Sequence, residues 1–154
     1  MSGRSVEHAS FVVERKYEAL PERAFAAWAD REAKARWYVD ADAHLELDFR
    51  VGGRERSQGI APDGRAYSYN ALFQDIVPAE RIVYTYEMVL DETRISVSLA
   101  TVEFTPVGDG DTHLVFTEQA AFLDGHESPA RRAEGMGGLL DALGEELQSE
   151  TPGG

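Results

Sequence analysis

The chain has 154 residues, 43% of them hydrophobic, no cysteine and a formal net charge of −13. That length suits one domain with a real core, and no apolar run approaches the ~20 residues needed to cross a bilayer. Disulfides, thiolate nucleophiles and cysteine-based metal sites are excluded, and so acidic a surface disfavours nucleic acid and anionic membranes as partners.

Residues 8–149 are expected to form a single domain, with residues 1–7 and 150–154 as flexible ends. Met1–Ser10 lack the apolar stretch of a signal peptide, so cytoplasmic residence is expected. Ser10–Tyr17 reads as a first strand, with Phe11, Val13, Arg15 and Tyr17 on one face. Pro21 opens a helix whose Ala24, Phe25 and Trp28 turn inward, and a second turn carries Glu32 to Trp37. Asp40–Asp42 is read as a loop. Leu45, Leu47 and Phe49 alternate with Glu46, Asp48 and Arg50, the period of a half-buried strand. Gly52-Gly53 turns the chain into Arg54–Ile60, and Pro62-Asp63-Gly64 is a strong turn signal. Strands follow over Ala66–Val77, Arg81–Leu90, Arg94–Thr105 and Thr112–Ala121.

From Ser128 to about Ser149 one amphipathic helix closes the chain. Met136, Leu140, Leu143 and Leu147 share a face, Ser128 supplies a cap and Pro129 suits the first turn. Gly135, Gly137 and Gly138 lie inside it, each costing about 1 kcal/mol relative to alanine. Glycine at such a cost implies close backbone approach, or room left for something beneath the helix.

Strand, helices, six strands and helix, in that order, predict an α+β fold. Its antiparallel sheet has one apolar face, for which the last helix is the cover. Such a curved sheet around one helix leaves an interior that side chains need not fill.

The residues at this point resemble a known family. Arg15-Lys16-Tyr17 running to Pro21, then Phe25, Trp28 and Trp37-Tyr38, form the first part of the pattern. Asp48-Phe49-Arg50-Val51-Gly52-Gly53, Asp63-Gly64, Asp75-Ile76-Val77-Pro78 and Glu80-Arg81-Ile82-Val83 continue it. Val102–Pro106, Gly110–Thr112 and Gly135 to Leu143 complete it. In order and spacing these are similar to the activator-of-Hsp90-ATPase-homologue-like group of the START-like (Bet v1-like), helix-grip superfamily. The resemblance implies a curved sheet of about six to seven strands wrapped around a long C-terminal helix, with a hydrophobic cavity between them. It also implies a homodimer and, through the family's name, a chaperone ATPase as partner. Two departures stand out. Met136 occupies a place where the family often has tryptophan, and a family glycine before Asp75 is replaced near Ala71.

Arg15 and Glu118 are the polar residues expected on inward faces of the first and last strands, where they could meet as a buried pair. Such a pair would be a structural salt bridge or an anchor for a ligand head group. Glu118 is also a weak candidate for a general base. Tyrosines offer an apolar body with a polar tip, which suits a pocket for an amphiphile. The expected ligand-binding set is Arg15, Trp37, Tyr67, Tyr69, Phe73, Tyr84, Tyr86, Met88, Phe116, Glu118, Phe122, Met136 and Leu140. The histidines have no metal-pair spacing, and Asp109 and Asp111 lack the glutamate of a calcium loop, so neither metal nor cofactor is expected. No serine or threonine stands in a nucleophile context.

The leading expectation is binding of a small hydrophobic or amphiphilic molecule under the last helix, without catalysis. The alternatives are a chaperone-ATPase regulator or stress-response interaction protein, and a cyclase-like or hydrolase-like enzyme acting on an apolar substrate.

Overall fold

The computed structural model describes residues 3–40 and 43–149. The expected ends 1–2 and 150–154, and the last two residues of the expected 40–42 loop, lie outside the described residues.

Seven antiparallel strands form one curved sheet in the order β1-β7-β6-β5-β4-β3-β2. They are β1 (Val6–Tyr17), β2 (His44–Leu47), β3 (Arg54–Ile60), β4 (Ala66–Val77), β5 (Arg81–Leu90), β6 (Thr93–Val107) and β7 (Asp111–Leu123). Among the described residues three helices, α1 (Pro21–Ala29), α2 (Arg31–Tyr38) and α3 (Pro129–Ser149), complete the fold. No described helix is long and apolar enough to cross a membrane.

The strands are dictated by alternation. On β7, Thr112, Leu114, Phe116, Glu118, Ala120 and Phe122 are buried while their neighbours are not. On β5 the buried residues are Ile82, Tyr84 and Tyr86. These inward faces meet α1 and α3 in one core that holds Trp28, Trp37, Phe73, Phe116, Leu140 and Leu143. A bulge at Met88/Val89 shifts the β5–β6 register, and Ile95 and Ser96 are consecutive buried residues on the strand opposite.

β6 and β7 run one or two residues longer at each end than the expected Arg94–Thr105 and Thr112–Ala121, and two other boundaries differ with a clear physical reason. β1 begins at Val6, because Val6 and Glu7 pair with Leu123 and Phe122 and so belong to the sheet rather than to a free end. β2 stops at Leu47, before Asp48 and Arg50, which form a tight turn. There the Asp48 carboxylate accepts from Arg50 at 2.9 Å and the Gly53 amide donates to the Arg50 carbonyl at 2.8 Å. The alternation through Phe49 continues past the point where the backbone turns. Gly53 is required at this turn, since a Cβ there would stand 2.1 Å from the Asp48 carbonyl oxygen.

α3 starts as its sequence dictates. The Ser128 hydroxyl accepts from the Arg131 amide at 3.1 Å, and Pro129 fills the first position. Its glycines divide into two kinds. A Cβ on Gly137 would lie 3.2 Å from the Arg15 guanidinium, and one on Gly144 would lie 3.2 Å from the Tyr17 ring. With no Cβ at Gly144, the Tyr17 ring rests on the helix and its hydroxyl donates to the Leu140 carbonyl at 2.7 Å. Gly135 and Gly138 face open space. Close approach to β1 thus accounts for two of the helix glycines and leaves the other two without a packing role.

A candidate ligand cavity beneath the last helix

The N-terminal half of α3 stands off from the sheet and leaves a cavity of about 250 Å³. Tyr67 and Tyr69 of β4, Tyr86 and Met88 of β5, and Met136 and Leu139 of α3 supply the aromatic and apolar part of its wall, with Tyr38 of α2. A second hollow of about 370 Å³ adjoins it and shares Tyr67, Met88, Glu127 and Arg131. That hollow opens between the Ala61–Arg65 turn and the loop carrying His126.

Alternation positions the tyrosines. Tyr67 and Tyr69 point to the same face of β4, Tyr86 and Met88 to the same face of β5, and Tyr69 sits opposite Met88 in register. The Tyr69 and Tyr86 rings lie 4.9 Å apart. Tyr38, at the end of α2, donates its hydroxyl to that of Tyr69 at 3.0 Å and closes the wall from the other side.

Arg132 ties the helix to the sheet. One guanidinium nitrogen donates to the Tyr86 hydroxyl at 2.8 Å and to the Glu118 carboxylate at 3.2 Å. The other donates to Ser96 at 2.8 Å and to Glu127. The guanidinium stands 5.2 Å from the centre of the Phe122 ring. The same Glu118 oxygen accepts from Tyr86 at 2.6 Å and from Ser98 at 2.7 Å, while Oε1 has no hydrogen-bond partner. Glu118 is wholly buried. Burial works against the Arg132 charge, yet Tyr86, Glu127 and Glu118 hold its pKa above the ordinary arginine value. Burial raises the Tyr86 hydroxyl well above the phenolic value, and Glu118 raises it further against the opposing pull of Arg132.

A second buried ion pair lies deeper. Lys34 of α2 meets Glu55 of β3, both side chains 1% exposed, and the ammonium sits 4.4 Å from the Tyr38 ring centre. Burial depresses the Lys34 pKa and Glu55 pulls it back part of the way.

The expected site residues separate into groups. Tyr67, Tyr69, Tyr86, Met88 and Met136 line the cavity. Glu118 and Phe122 lie behind it, against Arg132. Trp37, Phe73, Tyr84, Phe116 and Leu140 are core residues that do not line it. Arg15 is elsewhere. It bonds Asp141 at 2.8 Å and the Gly137 carbonyl at 3.3 Å, on an open groove between β1 and the C-terminal half of α3.

The expected Arg15–Glu118 pair is therefore corrected to Arg132–Glu118. In register, Arg15 faces Leu114 while Glu118 faces Phe11, four residues apart along the strand. Arg132 was not among the expected residues, although its signal was present. It lies four residues before Met136, on the buried face of the helix, where an arginine requires a buried acid. Arg131 and Glu127 gave no periodic signal, because they stand at the helix entrance.

The fold and cavity define a helix-grip α+β protein. Residues 18–148 match the family described as activator of Hsp90 ATPase homolog 1-like protein, and the chain belongs to that family. An uncharacterised protein from Rhizobium leguminosarum, solved at 1.9 Å, is 45% identical over 96% of this chain and 99% of its own, with a TM-score of 0.89. A protein from Rhizobium loti is 48% identical over 92% of this chain and 99% of its own, with a TM-score of 0.87. One from Chromobacterium violaceum, 24% identical over 90% of this chain and 97% of its own with a TM-score of 0.76, shares the fold. No curated protein matches the sequence.

Proposed function

We propose that this protein binds a small amphiphilic molecule in the cavity beneath α3 and performs no chemistry on it. One observation carries the reading: an apolar, tyrosine-walled cavity with arginine at its entrance. A preformed concave site with a few converging polar groups is the usual form of a small-molecule site. Affinity would come from apolar burial against Met88, Met136 and Leu139, at about 25 cal/mol per Å². Orientation would come from tyrosine hydroxyls and the charged entrance. Glu118, the weak candidate for a base, already accepts three hydrogen bonds on one oxygen and does not line the cavity, which supports binding over catalysis.

The neutral fluorophore N-phenyl-1-naphthylamine tests this. Bright, saturable fluorescence with the intact protein, displaced by small molecules extracted from the protein as purified from its own host, is the expected result. Absence of saturable binding would overturn it. The family's name supports a second reading, regulation of a chaperone ATPase. Stimulation of such an ATPase by the chain, with no fluorophore bound, would favour that role.

A further inference from the structure

The charges around the two adjoining hollows are not balanced. Asp63 and Glu127 are the carboxylates among their lining residues, against Arg65, Arg131 and Arg132. Asp63 holds Arg65 at 2.7 Å, and Glu127 is held by Arg132. Arg131 remains. Its amide is used in the helix cap, but its guanidinium has no partner among the described residues. It is exposed, it lines both hollows, and His126 stands on the same rim. Glu118 is screened from the entrance by Arg132, Tyr86 and Ser98, which occupy its bonded oxygen.

On a chain of net charge −13 an unpaired arginine at the mouth of an apolar cavity is a local exception. On the sheet, Arg81 and Arg94 are matched by acids, Asp75 and Glu87. A guanidinium is a fork of donors with the geometry of a carboxylate or similar oxyanion. Resting on the proposed cavity function, we infer that the ligand is an anionic amphiphile. Its apolar part lies against Met88, Met136 and Leu139, and its carboxylate or other oxyanion is held by Arg131 at the entrance. A cationic amphiphile would meet no free carboxylate there, since both rim acids are already paired. The acidic remainder of the surface would repel such anions everywhere else, so Arg131 would also select the entrance.

The test uses the intact chain with N-phenyl-1-naphthylamine bound, displaced by octanoate or by 1-octanol, which share a chain and differ in charge. Octanoate is expected to compete more strongly than octanol. Arg131→Gln is expected to weaken octanoate about tenfold, the size of a lost charge-assisted hydrogen bond, and to leave octanol within about twofold. Arg131→Lys should restore part of the loss, and added salt should weaken octanoate alone. If the fluorophore binds but octanoate and octanol compete equally, or Arg131→Gln leaves their ratio unchanged, the anionic inference fails and the cavity reading stands. If the fluorophore does not bind, both fail.

Discussion

Arg132 of α3 reaches Glu118 of β7 at 3.2 Å across the concave face of the sheet, with the carboxylate wholly buried and the arginine 8% exposed. Removing one partner of such a pair leaves an uncompensated charge in the interior, at a cost of about 3–5 kcal/mol. Arg132→Ala is therefore expected to lower unfolding free energy by that amount in urea titration. Pairing Arg132→Met with Glu118→Gln should recover much of the loss. A loss under 1 kcal/mol for Arg132→Ala would show that the pair does not fasten the helix.

Lys34 and Glu55 make the same argument in a drier place. Lys34→Met alone strands Glu55, whose Oε2 already lacks a partner. We expect it to be far more destabilising than Lys34→Met combined with Glu55→Leu, which replaces the pair by apolar volume. Thermal unfolding of the two variants compares them directly. A double variant less stable than the single one would contradict the electrostatic account.

The tyrosines set the alkaline limit. All six, Tyr17, Tyr38, Tyr67, Tyr69, Tyr84 and Tyr86, are pushed above the ordinary value of 10.0, with burial the first cause in each. A phenol with a raised folded pKa contributes stability that is whole below pH 10 and lost as pH climbs toward the folded value. Lys34, depressed by burial, acts in the opposite sense, because the folded chain gives up that proton first. Six groups outweigh one. Stability should fall steeply above pH 10, and phenolate absorbance should rise together with loss of circular dichroism. Of the two half-buried tyrosines, Tyr38 and Tyr67, Tyr67 should lead, because Glu55 and Glu118 add to burial in raising Tyr38. Titration of most tyrosines near pH 10 in a folded chain would refute this.

The helix glycines separate packing from propensity. Gly138→Ala meets nothing within 4 Å and should stabilise by about 0.5–1 kcal/mol. Gly144→Ala puts a methyl 3.2 Å from the rigid Tyr17 ring and strains its bond to Leu140, so it should destabilise. Melting temperatures moving in the same direction would break the distinction.

Much of this fold was legible because alternation and turn chemistry repeat along the chain. β4 and β5 lie where their periodicity puts them, and β3 lies between the Gly52-Gly53 and Pro62-Asp63-Gly64 turns that bound it. Pairings between distant charges were less legible. Which inward acid meets which base depends on register and on where α3 crosses the sheet, and neither leaves a local mark. Glu55 and Ser57 are inward but polar, so β3 carries no apolar period to reveal its buried face. Arg132 could have been placed by its spacing from Met136, whereas Lys34 on a helix of eight residues could not.

Met136 offers the sharpest probe of function. It is 6% exposed and lines the cavity with Leu139 and the tyrosines. Met136→Trp adds volume toward a hollow of about 250 Å³ rather than into filled core, so the fold should tolerate it. It is expected to reduce N-phenyl-1-naphthylamine binding at least tenfold while changing the melting temperature by no more than a few degrees. Met136→Ala, by contrast, should keep or strengthen binding but cost about 2–5 kcal/mol, because it removes buried contacts from α3. Loss of stability without loss of binding in the tryptophan variant would place the fluorophore elsewhere on the protein. Loss of binding at unchanged stability would locate it beneath the helix, because a side chain that merely completes the core cannot block a ligand without disturbing the fold.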